Sequence, residues 1–466
     1  MRTDLRLAWL LTRGSDRREW WRVLLTAVGA ALATGIGLVI AVLVPMEGQY
    51  HVSVVRMPGT NQVLVGSGLL DQPGTRDGVV VALMLLLVPV LGFLGQCARV
   101  GAVHRDRRLA ALRLAGATPA QVRRIAALES GLACLAGSAV ATVFSVLFLL
   151  RMWREPEALA WAGMAVVAVL VPVAGAVVSA LSLRRVVASP LGWIRRTRPT
   201  RGPGRVFQVA TGLLAFSAVL LAVGAFSGDP FGLPLARFAL GPLTVFGLCL
   251  LVGAAAVWLV GRTSRWLGEL LAARTRRPAV LIAAERLYDD PWAAARTHGA
   301  VLLVTVVGTA FIGIRQALFA QLHAADRAGQ AGLDMSYYTT GVNLTAAAIL
   351  TGFAVVLSAL GVGTAESLAT RRRGLAAQTA AGVPRAVLGR ALLLETALPL
   401  LPGTAVAGAG GMAIGLWYTS LTADGTAVPY TALLVPLAVY GCCLLAAATS
   451  LPLLRRSLRP AELRYA

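Results

Sequence analysis

Ten apolar runs divide the chain, at about residues 23–45, 78–98, 126–150, 159–182, 207–226, 238–261, 299–320, 343–365, 391–418 and 431–453. Roughly 20 apolar residues are enough for a helix to cross a bilayer. Inside hydrocarbon every backbone amide must be satisfied within the segment, so such runs fold as helices. Composition agrees: 57% of the 466 residues are hydrophobic and 14% charged, with mean hydropathy +0.73, where a soluble domain carries about 25% charged residues. The expected fold class is all-α, a polytopic membrane protein with ten transmembrane helices. The first run is too long for a cleavable signal peptide and lacks a cleavage site, so it is expected to remain as an anchor.

The basic residues orient these spans. With the amino terminus inside, 36 of 43 fall in inner segments: six before residue 23, seven each in 99–124, 183–206 and 262–298, five in 366–390 and four after 453. Basic residues are retained on the cytoplasmic side, so both termini are expected there. The net charge of +22 is thus a matter of topology, and no nucleic-acid partner is expected. All 43 basic residues are arginine. A Walker A loop needs a lysine on the nucleotide phosphates and a Schiff-base enzyme needs a lysine amine, so the chain is expected to be neither, and no catalytic residue is assigned. The arginine bias, with abundant Ala, Gly and Val, points to a GC-rich bacterial genome and hence to a bacterial cell membrane. Cys97, Cys134, Cys249, Cys442 and Cys443 lie in or beside apolar runs and read as small core residues. His51, His104, His298 and His323 are scattered. Neither set suggests a metal site, and no cofactor is expected.

One stretch occurs twice. Arg105 to Glu129 reads RDRRLAALRLAGATPAQVRRIAALE, and Arg371 to Glu395 reads RRRGLAAQTAAGVPRAVLGRALLLE, at a constant offset of 266. Arg105/Arg371, Arg107/Arg373, Gly116/Gly382, Arg124/Arg390 and Glu129/Glu395 are identical without a gap. Each copy reads as a broken helix on the inner side. Gly116 suits the left-handed turn that ends a helix. Thr118, Pro119 and Gln121 then restart one, with a capping box between Thr118 and Gln121. The second copy keeps Gly382 and has Pro384 at the place of Thr118.

The remaining segments frame these copies. Met1 to Arg22 reads as an amphipathic helix on the inner surface, with Trp20 and Trp21 at the interface. Residues 277–298 occupy the corresponding place before the seventh span. The first outer loop, 46–77, has turn signals suited to a small hairpin, and the second is about 321–342 with Tyr337 and Tyr338 as interface anchors. The basic linker IRRTRPTRGPGR at 194–205 marks the main internal boundary. The expected domains are 1–190 with four spans, 191–276 with the linker and two spans, and 277–466 with four spans.

The pattern Arg…Leu-Ala-Ala…Ala-Gly…Arg…Glu, followed by two spans and a closing Arg-Arg (Arg184-Arg185, Arg455-Arg456), resembles the FtsX-like permease module of ABC transporters. Two such four-helix modules joined by two extra helices resemble the ten-helix bacitracin-export-type arrangement, without the large extracellular domain that family carries between spans seven and eight. The resemblance implies a cytoplasmic ABC ATPase docking on the repeated stretches, and two modules in one chain allow two ATPase copies. It implies ATPase-coupling roles for Arg105, Arg107, Arg108, Gly116, Arg124, Glu129, Arg371, Arg373, Gly382, Arg390 and Glu395. Other readings stand beside these. The glycines also suit an ordinary helix stop, and the arginines also serve positive-inside retention. Glu129 and Glu395 either pair with Arg124, Arg390 or a stalk arginine, or are solvated helix-end carboxylates. Membrane lipid is the remaining expected contact. Export, or extraction from the outer leaflet, of an amphipathic compound is the expected function. A regulator of a sensor kinase or cell-wall enzyme is the alternative. An ion-driven carrier is disfavoured, because proton-driven carriers usually need an ionisable residue at mid-membrane and acids are absent from the middles of the ten spans.

Overall fold

The apolar runs fold as long helices in the computed structural model, which describes residues 17–46, 53–55, 63–65, 73–97, 111–152, 158–182, 209, 212–213, 236–327, 335–422 and 428–452. In order these form α1 (Arg17–Leu43), β1 (Ser53–Val55), β2 (Val63–Val65), α2 (Pro73–Cys97), α3 (Pro119–Met152) and α4 (Ala158–Ser182). There follow α5 (Ala236–Arg274), α6 (Pro278–Asp289), α7 (Pro291–Arg327), α8 (Met335–Thr370), α9 (Arg372–Ala380), α10 (Arg385–Thr422) and α11 (Leu434–Ala448). Among the described residues eight helices are long and apolar enough to cross a membrane. They coincide with the expected spans one, three, four and six to ten. Ala82–Leu94, a shorter apolar stretch of α2, falls in the second. The expected fifth span, 207–226, lies almost wholly outside the described residues, as do the linker 194–205 and residues 1–16. The chain is a multi-pass, all-α membrane protein.

The chain groups into two compact units, Met1–Tyr50 with Val90–Pro199, and His51–Pro89 with Thr200–Ala466. In the first, α1, α3 and α4 pack together through Leu38, Leu149 and Met164. Small residues let the backbones approach: a Cβ on Gly137 of α3 would collide with the Ala27 carbonyl of α1. This close fit replaces the hydrophobic drive that is missing between helices in lipid. In the second unit α7 is the central helix. Of its membrane window 61% is buried, against 22% for α8 and α11. Val301, Leu302, Val306 and Ala310 of α7 meet Val260 of α5, Leu400 and Ala407 of α10, and Val439 of α11. Its buried hydroxyls are satisfied locally, Thr305 donating to the Val301 carbonyl at 2.9 Å and Thr309 to the Thr305 carbonyl at 2.8 Å.

Two loop expectations meet different outcomes. β1 and β2 pair antiparallel, Ser53 opposite Val65 and Val55 opposite Val63, which is the small hairpin expected within 46–77. The loop expected at 321–342 is instead mostly helix. α7 continues to Arg327 and α8 begins at Met335, which leaves 328–334 between them. Polar residues such as His323 and Arg327 mark the end of the apolar run but do not stop a helix, and each bonds a backbone carbonyl four residues back, of Phe319 and His323 respectively. Residues 277–298 likewise fall into two helices. Pro291 disfavours a helical conformation for the residue before it, and Asp290 sits at φ −138, ψ 77 between α6 and α7.

Candidate functional site

The repeated stretch has the same backbone at both places. In the first copy, residues 111–114 form the last turn of a helix and Gly116 follows at φ 97. The Gly116 amide donates to the Arg113 carbonyl at 3.1 Å and the Ala117 amide to the Leu112 carbonyl at 3.0 Å. In the second, α9 ends and Gly382 follows at φ 89. There the Gly382 amide donates to the Thr379 carbonyl at 3.0 Å and the Val383 amide to the Gln378 carbonyl at 3.0 Å. These are the paired bonds of a Schellman helix stop, each related to its counterpart by the 266-residue offset. Gly116 and Gly382 are the non-helical positive-φ residues of the described chain, and a Cβ on either would meet nothing within 4 Å. Only the left-handed backbone therefore asks for glycine there.

Beyond the turn, each copy restarts a helix that runs straight into a span. α3 has 34 residues and α10 has 38, about 51 and 57 Å of helix where the hydrocarbon is about 30 Å thick. The expected capping box forms in the first copy, with the Thr118 amide donating to Gln121 Oε1 at 2.8 Å and the Gln121 amide to Thr118 Oγ1 at 3.3 Å. Arg113 adds a bond from Nη1 to the Ala117 carbonyl, 3.1 Å. Pro384 has no hydroxyl to make such a box, and α10 begins instead with the Val387 and Leu388 amides on the Pro384 carbonyl, at 3.0 and 3.3 Å.

The side-chain support differs between copies. Val122 and Ala126 are buried beneath the first turn, with Leu112 and Ala117 against them. The second turn sits on Leu368, Leu375, Leu388 and Leu392, joined by Val383, by Ile282 of α6 and by Leu451. Burying each such leucine contributes about 2 kcal/mol relative to exposure to water. Glu395 then fixes the assembly: Arg371 Nη1 lies 2.6 Å from its Oε1, and Arg286 Nη1 of α6 lies 3.0 Å from its Oε2. The carboxylate is only 22% exposed, so these pairs are better shielded than the Arg265–Glu269 pair, whose side chains are 63% and 50% exposed.

Of the residues singled out from sequence, Gly116, Arg124 and Glu129 lie on the first turn and the start of α3, and Glu129 is buried at 3% exposure. Arg371, Gly382, Arg390 and Glu395 lie on the second turn and its flanks. The stalk-arginine pairing is seen for Glu395 with Arg371. Arg390 is exposed and one turn away. Arg373 is on α9, while Arg105, Arg107 and Arg108 lie outside the described residues. Sequence reading missed Arg286. It stands four residues after Ile282, on the side of α6 that buries Ala283 and Leu287, but its partner Glu395 is 109 positions away, so spacing gave no signal of the pair. Among the described residues no group of three or more His, Cys, Asp or Glu could hold a metal ion.

Residues 78–191 match the family described as FtsX-like permease C-terminal. That interval contains the first copy of the turn and the spans on either side of it. No curated protein and no solved structure matches the chain.

Proposed function

Taking the FtsX-like permease domain at residues 78–191 as the premise, we propose that the chain is the membrane subunit of an ABC transporter with two such modules, 1–190 and 277–466, joined by 191–276. Permeases of this family work with a separate cytoplasmic ATPase, and the reading here is that it docks on both turns. The observation that carries this is the repetition of one glycine turn, bond for bond, each time at the head of a helix that continues without a break into a span. The helix between each turn and the start of its span transmits a push along its axis, because α3 has no interior proline and the two of α10, Pro399 and Pro402, come only after the first two turns of its span.

In this reading the exposed faces of Gly116, Arg124, Gly382 and Arg390 meet the ATPase, and Arg105, Arg107, Arg108 and Arg373 are assigned to the same role. Glu129 and Glu395 tie each knob to its span. ATP hydrolysis then displaces α3 and α10 and drives export, or extraction from the outer leaflet, of an amphipathic compound. The short interval 328–334 between α7 and α8 supports a substrate taken from lipid rather than one held by an outer domain.

The test is co-purification of the chain in detergent with its cytoplasmic partner, followed by an ATPase assay, beside a Gly116→Pro/Gly382→Pro variant of equal yield. The proposal expects an ATPase bound to the native chain, stimulated by an amphipathic compound, and lost from the variant. An ATPase that stays bound to the variant overturns the docking assignment. An ATPase bound without compound stimulation, together with a sensor kinase or cell-wall enzyme, would replace transport by regulation.

A further inference from the structure

Helix α5 overshoots the bilayer. Its membrane segment, Thr244–Arg274, has 31 residues, about 46 Å of helix where about 30 Å is needed. The excess lies at its C-terminal end, since 244–261 carries no charge and Arg262, Arg265, Glu269 and Arg274 follow. At that border Trp258, Arg262 and Trp266 succeed one another at four-residue spacing, which places them in one stripe along the helix. The stripe is open: Trp258 is 45% and Trp266 59% exposed, and Arg262 is exposed too. The opposite face is taken by protein. Ser264 is buried, and Gly268 abuts α6, where a Cβ would lie 2.9 Å from the Ala284 carbonyl oxygen and from the Tyr288 amide nitrogen.

The Arg262 guanidinium lies 5.3 Å from the centroid of the Trp258 ring. Among the described residues no carboxylate neutralises it; the nearest acid in sequence, Glu269, is held by Arg265 at 3.0 Å. Stacking on a tryptophan orients a guanidinium but leaves its charge and its N–H fork unused. Tryptophan favours the headgroup depth of a bilayer, and a guanidinium fork matches a phosphate.

We propose that Trp258, Arg262 and Trp266 form a binding site for the headgroup of an anionic phospholipid of the inner leaflet. Arg262 holds the phosphate, Trp258, one turn deeper, packs against the glycerol region, and Trp266, one turn further out, lies against the polar end of the headgroup. A zwitterionic lipid fits less well, because its own amine already compensates the phosphate.

The experiment is native mass spectrometry of the full chain released from mild detergent, titrated with phosphatidylglycerol or with phosphatidylcholine of the same acyl chains. Phosphatidylglycerol should bind more tightly. Arg262→Gln should lower its apparent affinity about fivefold, the effect of one basic residue at an anionic surface. Trp258→Leu, which removes the stacking partner and keeps the charge, should also lower it, while Arg265→Gln should not. Equal losses from Arg262→Gln and Arg265→Gln would reduce the site to a general basic surface and overturn it. So would equal binding of the two lipids. Displacement of the lipid by inorganic phosphate at matched concentration would assign the site to a free anion instead. If Arg262→Gln lowers the melting temperature, Trp258→Leu decides alone, and unchanged binding in that variant sinks the proposal.

Discussion

The two glycine turns share a backbone and differ in what holds them. At Gly116 the helix stop rests on Val122 and Ala126, and the restart is closed locally by the Thr118–Gln121 box. At Gly382 the box is gone. Four leucines and two arginines, one of them from α6 and 109 positions away, hold the turn and its helix. These contacts at the first turn come from neighbours in sequence, and those at the second include neighbours far apart in the chain. The same backbone turn can thus be supported by quite different side chains, provided the left-handed glycine is kept.

That contrast can be broken, beginning with the largest effect. Glu395→Ala removes the shared acceptor of Arg371 and Arg286 and should cost about 2 kcal/mol, with some discount for solvent at Arg371. Glu269→Ala, from an exposed pair, should cost about 0.3 kcal/mol. Chemical unfolding in detergent measures both, and equal losses would mean that Glu395 is no anchor. Next, Gly116→Ala and Gly382→Ala should each cost about 1–2 kcal/mol, since only the left-handed backbone is penalised. The two should agree closely, and a much larger loss at one would show that space, not φ, is limiting there.

Smaller effects sharpen the picture. Thr118→Ala should destabilise by about 1 kcal/mol through loss of the cap. Proteolysis between Arg113 and Arg124 should report that loss, with the second copy untouched. A last effect is the coupling between Arg286→Met and Arg371→Met. Because both guanidiniums share Glu395, a double-mutant cycle should return about 0.5–1 kcal/mol. A value of zero would show that the two ion pairs act independently.

The local features were legible in the sequence and the distant ones were not. Gly116 and Gly382 announce the left-handed turn because few other residues accept it, and Thr118 with Gln121 announces its cap at fixed spacing. The apolar runs give the spans for the same reason: their length is set by the bilayer. The pairing of Arg286 with Glu395 depends on how α6 folds back beside α10, and no spacing rule reports that. The helix at 321–327 and 335–342 was hidden because polar residues at a membrane border end the hydropathy signal before they end the helix. The family match over residues 78–191 bears out the resemblance read from the first copy.

The most direct test of the central claim, that both turns receive an ATPase, uses Ala120 and Ala386. These are exposed and related by the repeat offset. A photo-crosslinking amino acid at either position in the full chain, irradiated in membranes, should join the chain to a nucleotide-binding partner from both sites, with loss of the product in Gly116→Pro and Gly382→Pro respectively. Crosslinks to lipid alone, or to no ATPase from either site, would contradict the account.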